Sequence, residues 1–551
     1  MRQLILLWLI FCLGSTACQP RQKVDLIIYN AKIYTVDSAF SVQEAVAIHQ
    51  GKFIAVDKLE KVLANYQSDS LVDLGGKPVY PGFYDPHCHF YGLGQGLDQA
   101  DLVGTQSFGE VVERLQAFQR ANPDRPWIIG RGWDQNDWPT KQFPTRDTLD
   151  RLFPDKAVFL VRVDGHAALA NGRALEIAGL LKGGETTSKL ASRLDGGLVE
   201  AKNGRATGIL VDNAMGLVRR VMPPPSDAQI RQALLKAQAE CARFGLTTVG
   251  DAGLSQELIE LVDKLHREGS LKTRIYAMIS LTEPNKPHFF KQGKTKTDRL
   301  NVCSFKVYAD GALGSRGACL LAPYQDRPAE TGFLLLPPEE LQRNIEQVAA
   351  AGFQVNTHCI GDSANRFVLD VYARILGGKN DRRFRIEHAQ VVHPADVPKF
   401  GQYSIIPSVQ STHATSDMYW LADRLGPERV KHAYAYRDLL QQNGLLANGS
   451  DFPVEAVSPL YGFHAAVARQ DAKGWPEGGF QMDNALDRPT ALRAMTIWAA
   501  YANFEEAERG SIEPGKMADL VVLEDDLLTA PAPRLRELKV LRTYIGGERV
   551  Y

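Results

Sequence analysis

His87 and His89 stand one residue apart at the end of the run Pro81-Gly82-Phe83-Tyr84-Asp85-Pro86-His87-Cys88-His89. Side chains on a strand alternate, so both imidazoles face one side and offer two nitrogens to a single cation, while Cys88 faces away. Taken alone, the pair reads equally well as two hydrogen-bonded histidines. Lys306, His358, His388 and Asp451 change the balance, because each stands at or near the C-terminal end of a strand-like apolar run. Four imidazoles, an amine and a carboxylate suit a divalent cation such as zinc, with one coordination position left for water. Such an ion activates water and polarises a carbonyl. Asp451, at the last of these strand ends, is expected to act as a metal-adjacent base that shuttles a proton. Two blander roles compete: Lys306 paired with Asp310, four residues on and of the same strand parity, and Asp451 capping a helix after Pro453.

These groups need a scaffold that brings strand ends together. From about Gly245 onward, strand-like runs alternate with helical patterns: Thr247 to Asp251, Thr273 to Ile279, Cys303 to Asp310, Gln354 to His358, Phe384 to His388, Ser404 to Gln410 and Leu445 to Asp451. With the histidine strand these make eight, favouring a (β/α)8 TIM barrel over an open doubly wound sheet. Helix ends are legible too. Ser226 and Gln229 form a capping box with a stop at Gly245, and Leu341, Ile345 and Val348 keep a helical period up to Gly352. The stretch 91–225 is too long for one βα connection and carries its own helical pattern at Phe108, Val111, Val112, Leu115 and Phe118, so it is expected to be an insertion over the barrel mouth. Val24 to Val36, Ala45 to Val56, Asp519 to Leu523 and Val540 to Val550 read as strands of a small composite β-sandwich built by both chain ends. The expected division is 24–80 and 510–551 for that β domain and 81–509 for the barrel.

The strings around these residues carry a resemblance. Gly132-Trp133-Asp134-Gln135-Asn136, Asp164-Gly165-His166-Ala167-Ala168-Leu169-Ala170-Asn171, the segment from Phe305 to Arg316, His358-Cys359-Ile360-Gly361-Asp362 and Gly449-Ser450-Asp451-Phe452-Pro453-Val454 resemble the metal-dependent amidohydrolase superfamily. Within it they look like the amidohydrolase family 3 branch, which includes enzymes similar to N-substituted formamide deformylase. The resemblance covers nearly the whole mature chain. It implies one or two divalent metal ions, held by His87, His89, Lys306, His358, His388 and Asp451. It further implies that Lys306 reacts with carbon dioxide to give a metal-bridging carbamate, a reaction open to a desolvated lysine.

Outer residues follow as expectations. His166 is expected to bind the substrate carbonyl or its oxyanion, against a structural role in the insertion. Arg316 is expected to pair with a substrate carboxylate, against an internal salt bridge. Trp133, Trp138 and Tyr308 are expected to shape an apolar pocket, against simple packing. The expected activity is hydrolysis of a small-molecule amide or N-acyl compound. A deaminase or another hydrolase on the same site, and a surface lipoprotein that binds metal or solute without turnover, are the alternatives. Asp451 argues against the last, since binding alone needs no proton shuttle.

The chain has 551 residues and a formal net charge of -1, which provides no overall polycationic field for nucleic acid. Arg2, the apolar stretch Leu4 to Leu13 and the small residues up to Ala17 read as a signal peptide over 1–17, too short for a membrane span. Cys18 is the expected lipidation site and 18–23 a tether, giving an exported, membrane-anchored protein. A homo-oligomer is left open. The cysteines remaining after Cys12 and Cys18 are odd in number, with no C-x-x-C spacing, so no disulfide framework is read.

Overall fold

A computed structural model describes residues 21–182, 185–186 and 196–551; the expected signal peptide and Cys18 lie outside the described residues. Eight parallel strands form the centre: Phe83–Cys88 (β1), Leu246–Leu254 (β2), Arg274–Ser280 (β3), Leu300–Tyr308 (β4), Gln354–Cys359 (β5), Arg385–His388 (β6), Ile406–Gln410 (β7) and Ala447–Gly449 (β8). They pair in chain order. Their residues alternate between two environments. Phe305, Val307, Val355, Ile386 and Val409 pack outward with Leu341, Ile345, Val348 and Val368 of the surrounding helices. The inward set is polar, with Ser304, Asn356, Arg385, Glu387 and Ser408 all buried. Both faces are buried, so some strands, such as Arg274–Ser280, read as near-continuous apolar runs, while others, such as Arg385–His388, alternate apolar with buried polar residues.

The seam between β1 and β8 completes the barrel. Asp451 N donates to His87 O (2.8 Å) and His89 N to Phe452 O (2.7 Å). The buried Asp85 carboxylate accepts from Ser450 N (3.1 Å) and Ser450 Oγ (2.5 Å). Gly449 makes this approach possible, since a Cβ there would stand 2.6 Å from Asp85 Oδ1 and 2.8 Å from His87 O.

The helix Asp227–Arg243 opens on the Ser226–Gln229 capping box, and Gly245 behind it is left-handed at φ +81°. The insertion holds the helix Phe108–Ala121, with Ser107 capping its start and Val111 and Leu115 fully buried. It also contains a six-stranded sheet of its own, in the order Ala100–Asp101, Trp127–Trp133, Ala157–Arg162, Ala167–Ala170, Arg205–Asp212, Gly197–Lys202. At the chain ends, Pro78–Pro81 lies between Lys32–Tyr34 and Leu520–Leu523 in one sheet, and Leu26–Tyr29 belongs to a second. Ile28, Ile33, Val46, Val79, Leu520 and Val522 fill the space between the two. The long terminal runs break where Asn30 and Gln50 take left-handed backbone and the chain turns back. Arg274 on β3 pairs with Asp519 (2.7 Å), fixing this unit to the barrel. Among the described residues no helix is long and apolar enough to cross a membrane, and the five cysteines among them are free. Cys88 packs outward into the core, away from its flanking histidines.

Candidate active site

Four of the histidines, Lys306 and Asp451 meet at the C-terminal ends of the barrel strands. Asp451 Oδ1 lies 3.2 Å from His89 Nε2 and 3.5 Å from His87 Nε2, and the His87 and His388 rings are 4.9 Å apart. His358 stands 4.5 Å from His388, centre to centre, and Lys306 Nζ approaches His87 Nε2 to 3.1 Å. Asp451 and His388 hold left-handed backbone, φ +61° and +73°, which is strained for residues with a Cβ and concentrates at functional sites.

The competing roles do not hold. Asp310 accepts from the backbone N–H groups of Cys319, Ile360 and Gly361 (2.8, 3.0 and 2.8 Å), and among the described residues no ion pair joins it to Lys306. No helix begins at Pro453; the next opens at Pro459 behind Ser458.

Three groups absent from the sequence reading complete the cluster. Glu387, fully buried, accepts a short hydrogen bond from His87 Nδ1 and an ion pair from Arg385. Burial opposes ionisation of Glu387, but the Arg385 guanidinium and then His87 hold its pKa below the usual carboxylate range. With Glu387 anionic, Nδ1 of His87 is the donor and Nε2 keeps a lone pair turned to the cluster. His413, from the helix Ser411–Asp417, stacks on His388 and lies 3.9 Å from Asp451. Asp212 accepts from His166 Nδ1 at 2.6 Å.

The donors fit a divalent cation. His87, His89 and Asp451 offer mutually adjacent ligand atoms, as do His388, His413 and Asp451. Nδ1 of His388 and Nε2 of His413 are buried with no hydrogen bond among the described residues, a cost that a cation would remove. Burial, and then Lys306, lowers the His87 pKa to about 4, keeping it neutral as a ligand must be. Burial pulls Lys306 down to about 8 despite the nearby carboxylates. For Asp451, burial works upward, but the adjacent His89, 3.2 Å away, and the surrounding imidazoles hold it well below its ordinary value.

A cavity of about 1890 Å³ opens above this cluster, walled by barrel strand ends on one side and the insertion on the other. His166 reaches it from the insertion and stands 5.0 Å from His358, ring to ring. Arg162 shapes that loop: buried, it is clamped by Asp134 and Asp164, and Asp164 in turn accepts from His166 N (3.0 Å). Tyr308 lines the cavity, its ring 4.8 Å from Lys306 Nζ.

Two expectations are corrected. Trp133 and Trp138 do not line the cavity; both are buried in the insertion's core and donate to Leu160 O and Thr105 O (2.9 Å each). The strand Trp127–Trp133 shifts register between Arg131 and Trp133, where Gly132 is at φ +108°. This irregularity turns Trp133 onto the face of Ile128 and leaves Arg131 toward the cavity. Arg316 also stands outside the cavity, bound to Asp326 (2.6 Å), which Arg424 shares.

The barrel, its strand-end cluster and its covered mouth define a hydrolase architecture. Residues 70–551 match the amidohydrolase family model, and the chain belongs to that family. It is 33% identical over 544 residues to Protein LONG AFTER FAR-RED 3 of Arabidopsis thaliana, covering 96% of this chain and 91% of that one. A putative amidohydrolase, YtcJ, of Bacillus subtilis is 32% identical, with 94% and 98% covered. N-substituted formamide deformylase of Arthrobacter pascens is 27% identical, with 96% and 98% covered. Among solved structures, an uncharacterized metal-dependent hydrolase from Pyrococcus horikoshii superposes with a TM-score of 0.74 at 28% identity, over 92% of this chain and 99% of that one.

Proposed function

We propose that the protein hydrolyses the C–N bond of a small amide or N-acyl compound, with Asp451 as the proton shuttle beside one or two divalent metal ions, zinc by the nature of the donors. The single observation that carries this reading is the Asp451 carboxylate, held among His87, His89, His388 and His413 at the floor of a cavity large enough for a substrate. His87, His89, His358 and His388, with Lys306 and Asp451, would hold the metal, whose charge supplies Lewis acidity toward water and the substrate carbonyl. Asp451 is ionised and takes a proton from the attacking water, then delivers it to the departing nitrogen from the same position. Burial lowers the His166 pKa, but the hydrogen bond to Asp212 outweighs it and raises the group above its ordinary value; an N–H on its other ring nitrogen would steady negative charge developing on the carbonyl oxygen. The depressed pKa of Lys306 supports its reaction with carbon dioxide to give an anionic carbamate, a ligand able to bridge two ions. The relationship to the formamide deformylase supports an amide substrate. The apolar run before Cys18 supports export and lipid anchoring.

The test compares metal-loaded wild type with Asp451→Asn on a panel of simple amides and N-acyl amino acids. Turnover falls by roughly 10²- to 10⁴-fold, the worth of a general acid–base group, while bound metal measured by atomic emission stays. Full activity in Asp451→Asn refutes the shuttle. A wild type inert across the panel with metal bound refutes the amidase reading.

A further inference from the structure

Several buried arginines in this chain are matched to carboxylates: Arg162 to Asp134 and Asp164, Arg385 to Glu387, Arg424 to Asp326. Two arginines that line the cavity from the insertion side, Arg131 partly buried and Arg219 accessible within it, have no such partner among the described residues. Arg131 donates to Val163 O (3.0 Å), but its Nε is buried without a hydrogen bond and it joins no ion pair among the described residues. Arg219, the last residue of the helix Met215–Arg219, lines the same cavity, with no hydrogen bond or ion pair among the described residues. Arg131 feels the carboxylates of Asp451 and Asp164 without an ion pair to either, and the charge of Arg219 opposes its own. Two like charges facing one cavity repel each other, and the buried Nε of Arg131 lacks an acceptor; an anion lying between them would relieve both. A planar guanidinium matches a carboxylate bidentately.

We propose that Arg131 and Arg219 form the carboxylate-binding end of the cavity, so that the compound hydrolysed is an amide or N-acyl compound carrying a free carboxylate remote from the scissile bond. The proposal rests on the hydrolase reading of the strand-end cluster and narrows its substrate. A carboxylate suits this end better than a phosphate. The cavity is lined by nine carboxylates against six lysines and arginines, and a dianion would meet more repulsion from the remaining walls than a monoanion. The substrate carboxylate assigned from sequence to Arg316 thus passes to a pair that Gly132 and a short helix deliver.

Calorimetric titration of the metal-replete protein tests this without requiring turnover. The probes are N-acetyl-ω-amino acids of increasing spacer length, their uncharged primary amides, and inorganic phosphate. Wild type should bind the best acid roughly 10- to 100-fold more tightly than its amide, the worth of a charge-assisted hydrogen-bonded pair. That ratio should approach one in Arg219→Gln and Arg131→Gln and partly return in Arg219→Lys, with melting curves confirming that each variant folds. Acid and amide bound alike by wild type at every spacer length would overturn the proposal. So would a ratio that survives both glutamine variants, which would place the carboxylate at the metal, or phosphate binding more tightly than every acid. Arginine-dependent acid binding without hydrolysis of any probe would keep this site and sink the amidase reading instead; hydrolysis indifferent to the carboxylate would do the reverse.

Discussion

Glu387→Gln separates what the buried Arg385–Glu387 pair does for the fold from what it does for the ligand cluster. Both side chains are fully buried, with Arg385 Nε 2.6 Å from Glu387 Oε1. Losing the carboxylate leaves Arg385 with neutral partners, Pro86 O and Ser408 Oγ at 3.0 Å and Asn503. Breaking a buried pair on one side costs about 3–5 kcal/mol, whereas removing both charges together is close to neutral. His87 independently loses the acceptor that orients its ring, an effect worth about 10- to 100-fold in metal affinity. The single variant should therefore show both a lower melting temperature of the metal-free protein and weaker zinc binding in a chelator competition. The pair Arg385→Met/Glu387→Gln should recover most of the melting temperature yet keep the weaker zinc binding. Zinc affinity within about twofold of wild type in both proteins, well short of the expected loss, would refute the claim that Glu387 prepares His87 for a cation.

Three further outcomes are expected. His266 is buried away from the cluster, and burial lowers its pKa from 6.5 to about 4. Between those values the unfolded chain takes up the proton first, so stability is whole above pH 6.5 and falls by up to about 3 kcal/mol as the pH drops toward 4. Denaturation across this range in wild type and His266→Gln should show the difference, and parallel curves would contradict it. Gly449→Ala should destabilise by about 1–3 kcal/mol through overcrowding at the seam, and an unchanged melt would mean that Asp85 and His87 yield easily. Cys18→Ser should move the protein from the membrane to the soluble fraction of cells; unchanged membrane association would count against a lipid at Cys18.

Much of the barrel was legible because parallel strands buried on both faces leave long apolar runs, and because reactive groups at strand ends are conspicuous by type. The six expected ligands meet for that reason. Glu387 was hidden by the same logic: Arg385 and Glu387 alternate with Ile386, a pattern that elsewhere marks a half-exposed strand, whereas here the polar face points into the barrel. His413 sits on a helix that follows β7 rather than on a strand end, so strand counting passes over it. Trp133 was misplaced because an aromatic residue type alone does not say which face it takes, and the irregularity at Gly132 turns it into the insertion's core. Arg316 meets Asp326 through irregular chain that carries no periodic signal. The insertion's sheet was missed because its shorter strands, such as Ala167–Ala170, lack the length that makes a pattern persuasive.

The meeting of β1 with β8 sets an order of events. Asp85 and Ser450 are 365 positions apart, and the entropy of joining such distant points is repaid only after the intervening strands have assembled. His87, His89 and Asp451 flank that junction, so a cation held from both sides of it recognises the finished cylinder and has no foothold of this kind on its precursors. Binding of this sort pulls the equilibrium toward the closed form in proportion to ion concentration. Metal supply would then govern how long the barrel stays shut as well as how fast it works, like a clasp fastened only after the bracelet is wrapped.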